Sequence, residues 1–512
     1  MSPIGSLLLL VLLARTDVPF VESLIRLPGE IRNYETPDVN DDDRGDLVVI
    51  LADEGIRTLC LFLQRADGRF PEEPDWRLTV PPEVVAYSFF DLREEPGREL
   101  LLLTGGGVHS LSTTRPGLRG NLRQELRAGL FPDLPAPDEL PRWGWTADLF
   151  GDGRKELLLV RNGQMVAYQA GQDEAGTRKL IELGSIPCRQ EEEKAVGEIE
   201  LMGGQATIRT VSPVATLFPG VPSTVPSFGR SSLLNRTEEW LLPALVDWNG
   251  DGLVDGVRPH EAGITRFLLQ RDGSFLPGEQ VLVEPEQVQA LGGDIRLIDM
   301  DGDGSVEVVA LDSEQDGLTG TYTVTVLPKA QDGSALLPAV ARIKLEASHV
   351  RFRFEDVNHD GREDLVARAT RLPSAIQTLT SAYIDMSLLV FLGEEGGALA
   401  RSPSARFERR MPVESFTRVR ESQFMELGGD YDGDGLNDLL MLRADGLLQI
   451  FPLKGDGGKL AFSTEPMSTF LPSRAVRDAR PAVMSKDGVS DLILRHEDAL
   501  TVFVSKREAE ER

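Results

Sequence analysis

The chain has 512 residues, with 54 Lys+Arg against 82 Asp+Glu and a formal net charge of −28. Hydrophobic residues make up 41%, enough to bury a sizeable core, and the length exceeds the roughly 100–200 residues of an ordinary domain, although single β architectures run longer. The acidic balance argues against a nucleic-acid binder, which needs a basic face for phosphates, and against docking on anionic lipid.

The first feature in chain order is the apolar run Leu7–Ala14, LLLLVLLA. It is far short of the roughly 20 residues that cross a bilayer, and it fits the apolar core of a signal peptide spanning about 1–20. MSPIGS brings no Lys or Arg before it, which is a departure from that pattern. The expectation is an exported protein, either secreted, periplasmic or at the cell surface. No other run is apolar enough for a transmembrane helix, so the mature chain is expected to lack a transmembrane segment. Two cysteines in a chain this long are not a disulfide framework; Cys60, in TLCLFLQ, reads as a buried thiol, and Cys188 lies in the polar IPCRQ.

A repeat organises the rest. Five segments read D-x-[DN]-x-D-x-x-x-[DE] before an apolar run, starting at Asp38, Asp247, Asp299, Asp356 and Asp430. Weaker copies start at Asp91, Asp148 and Val483, and most intervals between frames are 52 to 57 residues, with exceptions of 99 and 74. After each frame come four or five apolar residues, such as Leu47–Leu51 and Leu439–Leu442, which suit a strand buried on both faces. A turn and a second strand follow. One unit thus holds about four strands in about 55 residues, and radial packing of such units buries their faces and leaves only short edges. The expected fold is all-β: a β-propeller of eight four-stranded blades, with seven as the alternative, over 21–505. Ring closure is expected to pair strands from the two chain ends. Insertions are expected at about 172–240 and 368–390, and a charged tail at 506–512.

The frames also carry chemistry. Ca²⁺ takes 6–8 oxygens, and carboxylates or amides at positions 1, 3 and 5 of a tight loop converge on one point, with Gly at position 6 for the turn. These are not EF-hands, which need an acidic residue at position 12; that position is Val49, Arg258, Ala310, Ala367 and Met441 in the five full frames. Mg²⁺ fits less well because it keeps several waters.

The nine-position frame followed by a strand resembles the FG-GAP (VCBS) repeat of integrin α-subunit propellers and many bacterial secreted proteins, over residues ~25–505. The resemblance implies one repeat per blade, with a calcium loop joining its first two strands, and about five Ca²⁺ sites. The ligand sets it implies are Asp38, Asn40, Asp42 and Asp46; Asp247, Asn249, Asp251 and Asp255; Asp299, Asp301, Asp303 and Glu307; Asp356, Asn358, Asp360 and Asp364; and Asp430, Asp432, Asp434 and Asp438. Asp43 stands where the first frame needs its turn Gly, and Glu307 replaces Asp at position 9. Arg93 and Phe150 take position 3 of two weak copies, and Val483 and Ser485 remove two ligands from the third. Those three frames are expected to keep the turn without holding calcium well, and Arg93 to stand in for the ion beside Asp91 or Glu95.

Catalysis leaves no local mark. The five histidines are scattered, and neither G-x-S-x-G nor a phosphate-binding glycine loop occurs. Arg44-Gly45-Asp46 spells an adhesion tripeptide, but Asp46 is wanted as a ligand, and the sequon at Asn235 matters only in a eukaryotic secretory pathway. The stretch 172–240 reads as a hairpin insertion with a surface loop, or as a ligand-binding loop. The leading expectation is an exported, non-catalytic, calcium-binding propeller that binds a protein or glycan as a scaffold module, with no nucleic-acid partner. The alternatives are a propeller-fold polysaccharide lyase or glycoside hydrolase, and a structural subunit of an exported assembly.

Overall fold

A computed structural model describes residues 20–93, 96–114, 121–127, 135–144, 146–161, 163–172, 178–188, 243–260, 263–291, 294–316, 318–372, 383–412, 425–443, 445–456, 459–485 and 487–505. Within 189–242 it describes only short backbone strands. The leader run Leu7–Ala14, the sequon at Asn235, the tail 506–512, most of 172–240 and the middle of 368–390 lie outside the described residues.

Eight four-stranded antiparallel sheets are present among the described residues. They form the blades of a β-propeller. Blade 1 is Glu30–Glu35, Leu47–Asp53, Ile56–Phe62 and Trp76–Val80; each later blade repeats this order up to blade 8, Asp478–Ala482, Asp491–Arg495 and Ala499–Ser505. The fourth strand of blade 8 is Phe20–Arg26 from the other end of the chain, paired from Phe20↔Ser505 to Arg26↔Ala499. The ring is therefore closed by the two ends, as the sequence suggests.

Alternation along single strands explains the radial packing. In Leu47–Asp53 every residue but the last is buried. Leu47, Val49 and Leu51 pack with Ile493 and Val502 of blade 8, whereas Val48 and Ile50 pack with Tyr87 and Leu100 of blade 2. Successive side chains point to opposite faces of a strand, so an unbroken apolar run serves two neighbours at once. Both cysteines are buried and free.

The irregular intervals have separate causes. Among the described residues the interval of 99 contains no extra blade: between Arg178–Pro187 of blade 3 and Ala244–Val246 of blade 4, the described strands are two short hairpins, Ile199–Met202 with Gln205–Ile208 and Arg230–Ser231 with Arg236–Thr237. The interval of 74 reflects long connections in blade 6, after Asp364–Arg371 and after Ala405–Pro412. Residues 368–371 and 383–390 belong to two paired strands of that blade.

Candidate functional site

All eight frames occupy the same place, between the first and second strands of a blade. The aspartate at position 1 organises each full frame by accepting backbone N–H groups from positions 5 and 6, and from position 4 as well where that residue is Gly250, Gly302 or Gly433. Asp430, for example, accepts from Gly433 at 2.6 Å, Asp434 at 3.2 Å and Gly435 at 2.8 Å. The position-5 carboxylate accepts from position 7, as in Leu436 N–H to Asp434 at 3.0 Å. The chain turns through left-handed residues at positions 4 and 6, normally Gly; the exceptions are Asp41 (φ 55), Asp43 (φ 66) and His359 (φ 53). His359 is exposed, as its place in the frame suggests.

Position 9 behaves differently from the others. Asp46, Glu99, Glu156, Asp255, Glu307, Asp364, Asp438 and Asp491 are all buried, none more than 6% exposed. Each accepts the N–H of position 2 of its own frame; the residues concerned are Val39, Leu92, Leu149, Trp248, Met300, Val357, Tyr431 and Met484. In the five Asp frames the second oxygen also accepts an N–H at or just past the end of the third strand. The donors are Gln64 (3.0 Å), Leu269 (2.7 Å), Gly393 (2.7 Å), Leu453 (3.1 Å) and Ser505 (2.7 Å). The side chain thus ties together three parts of the blade. Burial pushes Asp46, Asp255 and Asp364 up to about 6, and Asp438 to about 8, against the opposing pull of these N–H donors. Glu156 and Glu307 reach about 7 for the same reason. Asp46 at 0% exposure also removes Arg44-Gly45-Asp46 as an adhesion motif.

Neighbouring frames are joined. The N–H of position 8 donates to the frame of the preceding blade: Arg98 to Val39 O (2.8 Å), Val254 to Leu149 O (2.8 Å), Glu363 to Met300 O (3.0 Å) and Asn437 to Val357 O (2.8 Å). Ser490 donates to Asp430 O (2.7 Å), and Gly45 to Met484 O across the ring closure (3.1 Å). These bonds span six of the eight junctions, and one face of the propeller carries the resulting belt of acidic loops.

The expected ligand sets differ in how many carboxylates they carry. Two of the five gather three carboxylate oxygens within 4.8 Å of one another: Asp299, Asp301 and Glu307, and Asp430, Asp432 and Asp434. Each group lacks one member of its expected set. Asp303 stands outside the first, its carboxylate accepting the Ser305 N–H at 2.7 Å. Asp438 stands outside the second, because its oxygens are taken up by Tyr431 and Leu453. In the first group, Asp301 Oδ1 is shut from solvent without a hydrogen-bond partner.

In the sets from Asp38, Asp247 and Asp356, position 3 is an asparagine that is bonded within the frame. Asn40 donates its amide to Asp42 at 2.9 Å, Asn249 to Asp251 at 2.9 Å, and Asn358 to Asp360 at 3.0 Å. An amide nitrogen is a donor, so it satisfies the position-5 carboxylate directly and closes positions 3 and 5 on each other. The amide oxygens of Asn40, Asn249 and Asn358 in turn accept the position-5 N–H, at 3.3, 3.1 and 3.4 Å. No such donor exists where position 3 is Asp301 or Asp432, and only those two frames gather three carboxylates among the described residues. The all-oxygen donor sets of those two frames fit a hard cation such as Ca²⁺.

Tethered cations stand close by, and the frame pattern did not reveal them. Lys454 Nζ pairs with Asp432 (2.9 Å) and Asp434 (3.4 Å). Lys329, only 8% exposed, lies over the Trp248 ring and donates to Ser305, between the frames from Asp247 and Asp299. Arg44 and Arg362, at position 7, pair with Asp42 and Asp360. Each lysine follows the start of its frame by more than 20 residues, so only the folded blade brings them together. Arg93 is turned inward rather than toward the loop rim: it donates to Ser110 and Asn121 and pairs with buried Glu125 at 3.9 Å. Glu95 lies outside the described residues.

A concavity is lined by strands that flank the frames. It is a cavity of about 580 Å³ walled by blades 5, 6 and 7. Asp294, Asp312 and Tyr322 belong to it; Asp294 pairs with Leu311 at the end of the blade opposite Ile298↔Glu307, where the frame begins. The cavity holds four guanidinium groups, of Arg296, Arg351, Arg353 and Arg368, and three carboxylates, of Asp294, Asp312 and Glu426. Arg296 pairs with Asp294 at 3.4 Å, and Arg353 with Glu355 and Glu426. Exposed Leu318 lies at a strand connection of blade 5, and exposed Leu372 and Tyr383 flank one of blade 6.

No family model matches the chain, and no curated protein sequence does. Solved structures resemble the chain only at low TM-scores. A lectin from Agrocybe aegerita that recognises non-reducing terminal N-acetylglucosamine is 14% identical over 75% of this chain and 80% of its own, with a TM-score of 0.40. Sqt1 from Chaetomium thermophilum is 11% identical over 95% of this chain and 98% of its own, with a TM-score of 0.42. Sqt1 bound to the N-terminus of ribosomal protein L10 scores 0.40 at 10% identity, over 94% of this chain and 99% of its own. Such scores are too low to carry a ligand or a role across. Among the described residues, no helix is long and apolar enough to cross a membrane.

Proposed function

We propose that this protein is an exported, non-catalytic, calcium-binding β-propeller of the FG-GAP/VCBS type that holds a protein or glycan as a binding or scaffold module. The observation that carries the binding role is a polar cavity of about 580 Å³, walled by three blades that the belt of acidic loops holds in place. The calcium reading draws support from the all-oxygen ligand sets and from the orphaned Asp301 Oδ1 beside Asp299 and Glu307. The twenty frame residues named above would hold about five Ca²⁺. In three of those frames the ion has to displace the amide of Asn40, Asn249 or Asn358 from its carboxylate, so the frames from Asp299 and Asp430 would fill first. Calcium bound there supplies positive charge to loops whose own residues set their shape through backbone hydrogen bonds. Export rests on Leu7–Ala14, which ends before the closing strand begins at Phe20, so leader removal leaves that strand intact.

A polysaccharide lyase or glycoside hydrolase is the second reading, because arginines, carboxylates and Tyr322 meet in one cavity. Binding is preferred because the Tyr322 hydroxyl is committed to the Ser348 carbonyl at 3.2 Å. A structural subunit of an exported assembly is the third, favoured by the exposed Leu318, Leu372 and Tyr383 at strand connections of blades 5 and 6.

The deciding experiment is a glycan-array and pull-down screen with and without EGTA, followed by incubation of any polysaccharide hit with the protein. Saturable capture without product release is the expected result. Release of shortened or unsaturated sugars would replace the binding role with an enzymatic one.

A further inference from the structure

We propose that the cavity between blades 5, 6 and 7 recognises a carboxylated sugar, a uronate-class residue, with the paired Arg351 and Arg368 as its carboxylate anchor. This rests on the binding role above and names the chemistry of the ligand. Arg351 and Arg368 stand directly opposite each other on adjacent strands and both line the cavity. Like charges directly opposite across a sheet repel, and they are tolerable where an anion bridges them. Arg351 is in no ion pair among the described residues, and its Nε donates to His349 Nε2 at 3.4 Å, while Arg368 donates to the Met425 carbonyl at 3.0 Å. In a chain with a net charge of −28, two facing arginines in a concavity stand apart from the surface around them as an anion site.

The other lining groups narrow the anion. Asp294, Asp312 and Glu426 share the cavity, and they repel a phosphate or sulfate dianion more strongly than a carboxylate. The same carboxylates, with Ser313, accept hydrogen bonds from sugar hydroxyls. At about 580 Å³ the space exceeds what a free amino acid fills and lies within the range of sites for ligands of a few rings. One carboxylate surrounded by several hydroxyls is the chemistry that satisfies both sets.

Titration calorimetry on the full chain tests this with trigalacturonate, its methyl ester and inorganic phosphate. The free acid should bind, more weakly as salt rises, and the ester and phosphate at least roughly tenfold more weakly. Arg351→Gln should weaken the acid by roughly tenfold with an unchanged melting temperature, since Arg351 is exposed. Equal binding of ester and acid, equal binding by Arg351→Gln, preference for phosphate, or no uronate binding at millimolar concentration would each overturn the proposal. If a neutral glycan or a protein binds instead, this proposal fails while the binding role stands. If the trimer is bound and cleaved, the non-catalytic role fails while uronate recognition stands.

Discussion

Asp360 and Asp364 sit four residues apart in the frame from Asp356, yet different physics holds each. Asp364 is buried and accepts N–H groups from Val357 and Gly393 at 3.0 and 2.7 Å. Asp364→Ala leaves two buried donors unsatisfied and should cost about 2–4 kcal/mol in denaturant unfolding, with or without EGTA. Asp360 is exposed, so Asp360→Ala should cost little in EGTA and lose stabilisation only when calcium is present. Equal EGTA dependence of the two variants would contradict this division. Glu156 offers a second residue-level case, in a frame whose position 3 is Phe150. Burial raises its carboxyl to about 7, and Oε1 has no partner. A raised carboxyl favours the fold in its neutral form, so its stabilising contribution is complete below about pH 4 and lost as pH rises through about 7. Glu156→Gln should therefore raise the melting temperature at pH 8 and leave it unchanged at pH 5. A variant destabilised at both pH values would show that the charge itself is wanted.

At the scale of elements, the closing strand Phe20–Arg26 shields the third strand of blade 8, where Leu500, Val502 and Val504 are buried. Removing residues 1–26 exposes that edge, and an open apolar edge pairs with other chains. The truncated protein should aggregate or lose cooperative melting, and a peptide of sequence FVESLIR should restore part of it. A monomeric truncated chain with unchanged melting would mean that closure contributes little. The blades were legible because each carries its own short-range signal: Asp247 and Asp255 meet within one turn, so nine residues announce a strand pair wherever they occur. The same locality let the weak frames from Asp91, Asp148 and Val483 count as blades, because the backbone turn and the position-9 carboxylate survive the loss of side-chain ligands. Position 9 was read only as a ligand, since its second partners, such as Leu453 for Asp438, arrive from another strand. Treating Asn and Asp as equals at position 3 hid a further difference, because Asn40 and Asn358 carry a donor that Asp301 and Asp432 lack. Lys454 and Lys329 were invisible because they reach their frames only through the folded blade. The cavity draws on three blades and no local pattern, so nothing short of the fold could assemble Arg351 with Arg368 and Glu426.

For the whole molecule the question is what the charge of −28 does to stability. The frames hold 29 of the 82 acidic residues, and the belt fixes them around one face. Five bound Ca²⁺ would bring the formal charge to about −18. Without the ion, buried frame carboxylates resist ionisation: Asp46, Asp255 and Asp364 titrate near 6, Glu307 near 7 and Asp438 near 8, desolvation being the main cause in each. All are raised above their unfolded values, so the stability they contribute is present below about pH 4 and drains away between about pH 6 and 8. In EGTA the melting temperature should therefore fall from pH 5.5 to pH 8. Calcium prefers the ionised oxygens and opposes that loss, so its stabilising effect should be larger at pH 8 than at pH 5.5. Lys454 adds an internal control, because its ammonium already neutralises Asp432 and Asp434. Lys454→Met should lower the melting temperature in EGTA and widen the gap between calcium and EGTA. If calcium and EGTA give the same melting temperature at pH 8 in both proteins, the tethered cations suffice and the belt is a hydrogen-bonded array that needs no metal.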